Sequence, residues 1–154
     1  MKFTDLRLAE PIVRAVAAEG YETPTPIQAK AIPEALSGHD VLGCAQTGTG
    51  KTGAFALPIL HTLAKNPAPA APGQPRALIL CPTRELASQI LESFRVYGRG
   101  LQVRSTAVFG GVGKGNQIRN LRRGVDILVA TPGRLFDLMS DGFIALSLVE
   151  TPVL

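Results

Sequence analysis

Ala45-Gln46-Thr47-Gly48-Thr49-Gly50-Lys51-Thr52 is the segment whose residue types and spacing best suit chemistry. It fits the phosphate-binding P-loop expression, with Ala45 in place of the usual first glycine. Phosphate oxygens need several N–H donors converging on one point. Gly48 and Gly50 let the backbone wrap closely with no Cβ in the way. A helix beginning at Lys51 would aim its N-terminal dipole at the same charge. Lys51 would add a cation for the β- and γ-phosphates, and the Thr52 hydroxyl could ligate Mg²⁺. A chance glycine-rich turn is the plain alternative, and the flanking pattern argues against it: the apolar run Val41-Leu42-Gly43-Cys44 precedes the loop and a helical pattern follows.

Four further segments punctuate the chain. Gly20-Tyr21-Glu22-Thr23-Pro24-Thr25-Pro26-Ile27-Gln28 lies before the P-loop. Pro82-Thr83-Arg84-Glu85-Leu86-Ala87, Gly110-Gly111 and Thr131-Pro132-Gly133-Arg134 each follow an apolar run. Taken singly, each reads as ordinary turn and cap chemistry, and Thr131-Pro132 is also a good helix start.

The elements that must position these segments alternate. Strands are predicted over Val41–Ala45, Arg76–Cys81, Val103–Phe109, Asp126–Ala130 and in a run ending at Leu154. Helices are predicted near 8–19, 26–37, 51–64, 84–97, 114–123 and 133–141. Runs such as Ala77-Leu78-Ile79-Leu80-Cys81 and Ile127-Leu128-Val129-Ala130 are apolar throughout, as a sheet covered on both faces requires. The fold class is therefore α/β, with a mostly parallel sheet and helices on both faces. Lys65–Pro75 carries four prolines in eleven residues and reads as an exposed loop, too short for a domain boundary.

Size and composition narrow the class. A chain of 154 residues, 45% apolar and 18% charged, is one globular domain with a real core. It has no apolar run of the roughly 18 residues that a membrane span needs, and Met1–Asp5 has no apolar signal core. Cys44 and Cys81 stand 37 apart with no CxxC, which argues against zinc or a disulfide framework and for a reducing, cytoplasmic setting. Both read as small core residues, and the lone His39 and His61 as surface or capping residues. The net charge of +4 lies wholly in the second half: residues 1–75 hold six basic and six acidic side chains, residues 76–154 ten and six. Arg95, Arg99, Arg104, Lys114, Arg119, Arg122 and Arg123 run through 93–125 without an acidic residue. That stretch is either a solvated face or an auxiliary surface for phosphates. No Asn-Lys-x-Asp motif supports a GTPase, and nothing marks the lid or acceptor site of a small kinase.

Taken together and in order, these motifs resemble those of the DEAD-box ATP-dependent RNA helicases of superfamily 2. The likeness runs from Phe3 to Leu154. Details such as Gln28-Ala29-Lys30-Ala31-Ile32-Pro33 and Val129–Leu135 resemble the bacterial RhlE-type subgroup. The resemblance implies an N-terminal RecA-like ATP-binding domain over 1–154, with the Q motif at 20–28 and the P-loop at 45–52. It implies ATP and Mg²⁺ as cofactors. Gln28 would read adenine through its amide, Phe3 would stack on the base or else anchor the N-terminus in the core, and Thr23 would add a backbone contact held by Pro24 and Pro26. Tyr21 would pack rather than stack. Gln46, Thr47, Gly48, Thr49, Gly50, Lys51 and Thr52 would hold the phosphates, with Lys51 and Thr52 catalytic and Thr52 on the metal. Pro82, Thr83 and Arg84 (motif Ia), Gly110 and Gly111 (GG), and Thr131, Pro132, Gly133 and Arg134 (motif Ib) would hold an RNA backbone without reading its sequence.

The same resemblance sets expectations about missing parts. The chain reaches Leu154 where the Asp-Glu-Ala-Asp motif would begin, and the Ser-Ala-Thr motif and second RecA-like domain are absent from it. The domain is thus expected to be incomplete at its C-terminus. The parent would couple ATP hydrolysis to RNA unwinding, and the chain alone would hydrolyse poorly. A truncated module that only binds nucleotide or RNA is the alternative, and a DNA helicase with a similar core a third reading. The P-loop strand would expose an open sheet edge suited to self-association, and Pro152 would fray or displace the last strand.

Overall fold

The computed structural model describes residues 1–43, 48 and 50–154. Among these it has two compact units: Met1–Pro67 with Ser93–Gln102, and Ala68–Glu92 with Val103–Leu154. The first switch between units falls inside the proline-rich segment.

The first unit is helical. A 3₁₀ turn, Phe3–Leu6, is followed by α1 (Glu10–Ala18), α2 (Pro26–Leu36) and α3 (Lys51–Lys65), and it also holds the last turns of α4 (Arg84–Tyr97). Helical spacing decides which residues go inside. Ile12, Ala15 and Val16 form the buried stripe of α1. In α3, Ala54, Ala56, Leu57, Ile59, Leu60 and Leu63 are all buried, so this helix is covered on most sides. Phe94 of α4 is buried, with its ring centroid 6.2 Å from that of Phe55 in a tilted pair.

The second unit is a four-stranded parallel sheet. Its strands are β1 (Ala77–Leu80), β2 (Ser105–Val108), β3 (Ile127–Ala130) and β4 (Thr151–Val153), ordered β2-β3-β1-β4. Ala77 pairs with Ile127 and Thr151, and Ser105 with Ile127. Helices α5 (Gly115–Arg122) and α6 (Pro132–Ser140) make two of the crossovers. Right-handed connections put α5 and α6 on one face and the start of α4 on the other. The α5–α6 face is built from Leu78, Leu128, Val108 and Ala130 under Leu121, Leu135 and Leu138. Asp126, only 3% exposed, immediately precedes β3, and its Oδ2 accepts the Arg104 N–H at 2.8 Å.

The α/β class, the parallel sheet and the helices agree with the sequence reading, most boundaries to within one or two residues. Three local expectations need correction. The strand predicted over Val41–Ala45 is not one over Val41–Gly43, where Leu42 is 94% exposed; Cys44 and Ala45 lie outside the described residues. A parallel strand needs a ladder partner, and β4, three residues with a proline at its centre, has few groups to bond. Among the described residues the edges of the sheet are β2 and β4, not the P-loop segment, and Pro152 is accommodated in β4, paired with Leu78 on the side toward β1. Finally, the second half of Lys65–Pro75 is not an exposed loop. Gly73 and Pro75 are buried, and Ala71 bridges Val125 because backbone groups there find partners in the sheet unit.

Candidate functional site

The residues singled out by sequence fall into two groups, one in each unit. In the helical unit, Thr25 caps α2: its Oγ1 accepts the Gln28 N–H at 3.4 Å, and Gln28 Oε1 accepts the Thr25 N–H at 3.1 Å. This is a capping box with Pro26 at the first helical position. Gln28 is buried, and its Nε2 donates to the Gly50 carbonyl at 3.1 Å. One side chain thus ties the start of α2 to the residue that caps α3. A Cβ on Gly50 would lie 2.5 Å from Gln28 Nε2, and one on Gly53 2.7 Å from it, so both glycines leave the room that this amide fills. Gly50 also has φ +85°, a conformation that only glycine takes without strain.

Lys51, exposed, and Thr52, half-buried, open the 15-residue α3. Gln46, Thr47 and Thr49 lie outside the described residues. Thr23 is exposed beside the buried Pro24. Phe3 is 5% exposed: its N–H donates to the Glu22 carbonyl at 3.2 Å, and its turn packs on α1 and α2. Tyr21, expected to pack, is 54% exposed near Tyr97, whose hydroxyl pKa is raised by burial first and then by Tyr21 and Glu19.

The two histidines are tied into loops. His39 pairs with Glu34 at 2.8 Å on the surface. His61 Nδ1 accepts the Ala9 N–H at 3.0 Å, joining α3 to the start of α1. Its pKa lies below 6.5, first because burial disfavours the cation and then because Lys65 repels it. Folding therefore favours neutral His61. Its contribution is present above the unfolded value and is lost as pH falls from 6.5 through the lower folded pKa. The urea midpoint should drop between about pH 7.5 and about pH 5.5, and His61→Gln should flatten that part of the profile. Equal slopes in the two proteins would refute this.

In the sheet unit, the other motifs sit at the carboxyl ends of the adjacent strands β2, β3 and β1, where open α/β sheets bind ligands. Pro82, Thr83 and Arg84 follow β1, and Thr83 Oγ1 accepts the Leu86 N–H at 3.2 Å, capping α4. The Arg84 guanidinium lies 5.7 Å from the centroid of the Phe109 ring. A Cβ on Gly111 (φ +81°) would stand 3.1 Å from Arg84 Nη1, so the glycine pair lets the arginine settle against the loop. Thr131 precedes α6, with Pro132 at its first position and Gly133 exposed. Arg134 donates from Nη1 to Gln117 Oε1 at 3.0 Å and from Nη2 to the Val112 carbonyl at 2.8 Å. Gln117 Nε2 donates in turn to the Phe109 carbonyl at 3.0 Å. The three motifs thus meet through Arg84, Gln117 and Arg134. The sequence reading missed Gln117; its one signal was a polar side chain four residues before Leu121, on the buried face of α5.

The basic run of 93–125 is divided between the two units. Its first part belongs to the helical unit, where Arg99 pairs with Glu19 at 3.5 Å and donates to the Ala15 carbonyl. Lys114 pairs with Asp137 and Asp141, and its pKa is raised chiefly by the hydrogen bond to Asp137. Arg122 lies over the Phe143 ring at 5.4 Å. Cys81 is a buried, reduced thiol whose pKa burial raises, as expected of a small core residue. Cys44 lies outside the described residues. Among the described residues, no helix is long and apolar enough to cross a membrane.

Comparison with known proteins places this arrangement. The DEAD/DEAH box helicase family matches residues 25–154. The chain belongs to that family. It is 50% identical over 137 residues to DEAD-box ATP-dependent RNA helicase 30 of Arabidopsis thaliana, a match that covers 89% of this chain and 23% of the plant protein. It is 50% identical over 135 residues to the ATP-dependent rRNA helicase RRP3 of Saccharomyces cerevisiae, covering 88% of this chain and 26% of the yeast protein. The crystal structure of the RNA helicase Prp28 from Chaetomium thermophilum bound to ADP superposes with a TM-score of 0.89 at 38% identity, over 98% of this chain and 37% of that one. The chain spans about a quarter of the length of these two curated relatives.

Proposed function

We propose that this chain is the N-terminal RecA-like part of an ATP-dependent RNA helicase. It binds ATP–Mg²⁺ through the Q motif and P-loop of its helical unit and an RNA backbone through motifs Ia, GG and Ib of its sheet unit. The whole protein couples ATP hydrolysis to RNA duplex unwinding, and these 154 residues by themselves bind rather than turn over nucleotide. The observation that carries this reading is the family match, which runs from Thr25 through the P-loop and all three strand-end motifs.

The residues fit the implied groups. Lys51 offers a cation and Thr52 a hydroxyl for Mg²⁺ at the start of a long helix, and ATP with its metal would supply the phosphoryl group there. Phe3 anchors the Q-motif segment, and Thr23 stays accessible beside it. Gln28 spends one amide N–H on the Gly50 carbonyl and one oxygen lone pair on the Thr25 N–H, which leaves one donor and one acceptor for an adenine edge. The same amide then links base recognition to the start of α3. On the RNA side, Arg84 and Arg134 are charged donors for phosphate, as expected of contacts that position a strand without reading its bases.

Finer placement in an RhlE-like subgroup rests on residues 28–33 and 129–135, while the relatives named above are plant and fungal. A cytoplasmic setting rests on cysteine usage. Self-association through an open sheet edge belongs to the same reading.

Calorimetric titration of ATP–Mg²⁺ and GTP–Mg²⁺ into the chain tests the nucleotide half. ATP is expected to bind and GTP not, and Gln28→Ala should lose the preference. Equal affinities for the two nucleotides in the unaltered chain would count against the adenine-reading role of Gln28, and no binding of either would overturn the proposed site.

A further inference from the structure

We propose that Gln117 is a positioning residue for the RNA backbone, holding the guanidinium of Arg134 and the Gly110-Gly111 turn in one arrangement. The proposal rests on the RNA-binding reading above and adds a residue to it. Gln117 is 7% exposed, and both ends of its amide are engaged: Oε1 with Arg134 and Nε2 with the Phe109 carbonyl. Only a side chain with a donor and an acceptor at one end can do both. Arg134 reaches on to the Val112 carbonyl, so the turn is gripped on both sides of the glycine pair. Arg84 lies against the same turn through Phe109 and Gly111. Two of the five N–H groups of Arg134 serve these bonds, which leaves three for an anion, their plane set by Gln117.

A planar guanidinium held this way has less rotamer freedom to lose when it meets a phosphate. Gln117→Leu keeps the bulk but leaves a buried carbonyl and part of a guanidinium without their partner. Arg134 would then adopt other rotamers, and the turn would loosen. Loss of such charge-assisted bonding corresponds to about a tenfold weaker RNA complex.

The experiment is fluorescence anisotropy of a labelled oligouridylate with the chain and its Gln117→Leu, Arg134→Ala and doubly substituted variants, repeated over a salt series. Each single change should weaken binding about tenfold, and the double variant should bind no more weakly than Arg134→Ala. The salt slope should fall by about 0.7, one phosphate contact on a single strand, in all three. ATP–Mg²⁺ affinity should match the unaltered chain, while the melting midpoint should fall in Gln117→Leu, which leaves the Phe109 carbonyl unpaired. Additive losses, unchanged RNA binding by Gln117→Leu, or a parallel loss of ATP affinity would overturn the proposal. Gln117→Met, of similar length, carries the same expectations should the leucine variant not fold. Failure of the unaltered chain to bind the oligouridylate would instead remove the functional reading itself. RNA binding that Arg134→Ala weakens and Gln117→Leu does not would remove this proposal alone.

Discussion

Gly73→Ala is expected to destabilise the chain by about 2–4 kcal/mol, combining left-handed backbone strain with overpacking. The residue has φ +63°, and a Cβ there would stand 2.1 Å from the Phe143 carbonyl oxygen. The obstacle is backbone, so no rotamer change relieves it. Nor can Gly73 turn away, because its N–H donates to the Leu121 carbonyl at 3.0 Å and its carbonyl accepts from Ala145 at 2.9 Å. Relief at one point would break ties to α5 and to the segment after α6. Gly142→Ala is the matched control: its φ is +80°, and its added methyl would meet nothing within 4 Å. It should show the strain alone, about 1–2 kcal/mol. Urea unfolding of the three proteins reads the difference. Equal losses in the two variants would mean that the contact with Phe143 yields and that the turn carries no steric load.

Lys51→Ala is expected to raise the ATP–Mg²⁺ dissociation constant by roughly 10- to 150-fold, the range for one charge-assisted bond. Lys51 is exposed and is the first residue of α3, immediately after the capping Gly50. Removing it deletes the cation proposed to meet a polyphosphate and leaves the packed side of the helix untouched. Melting should therefore not change. Lys65→Ala, at the far end of the same helix, alters net charge equally and should leave nucleotide affinity unaltered. Calorimetry on both variants separates a local contact from a general charge effect. Superimposable titrations for Lys51→Ala and the unaltered chain would remove Lys51 from the site.

Much of this molecule was legible locally. Thr25-Pro26 and Thr131-Pro132 mark helix starts because a proline at the first helical turn gives up no hydrogen bond. Ala77–Leu80 and Ile127–Ala130 mark covered strands because both of their faces are apolar. The strand-end motifs were legible for the same reason: turns and caps obey rules a few residues long. The reading failed where a remote partner was needed. Val41–Gly43 has strand composition but is not a strand. Gly73 and Pro75 sit in a proline-rich stretch, yet both are buried, and Gly73 is tied to residues 121 and 145.

The sequence by itself determined the α/β class and the order of elements, because hydrophobic period and caps act over a few residues, and the five motif segments were legible through their resemblance, taken in order, to a known family. Tertiary structure decided which side chains meet. Gln28 reaches Gly50 across 22 residues, and Arg134 reaches Gln117 and the Val112 carbonyl across 17 and 22. The first encounter depends on the packing of α2 against α3; the others depend on crossover hand and strand register, which bring strand ends together whatever their separation along the chain.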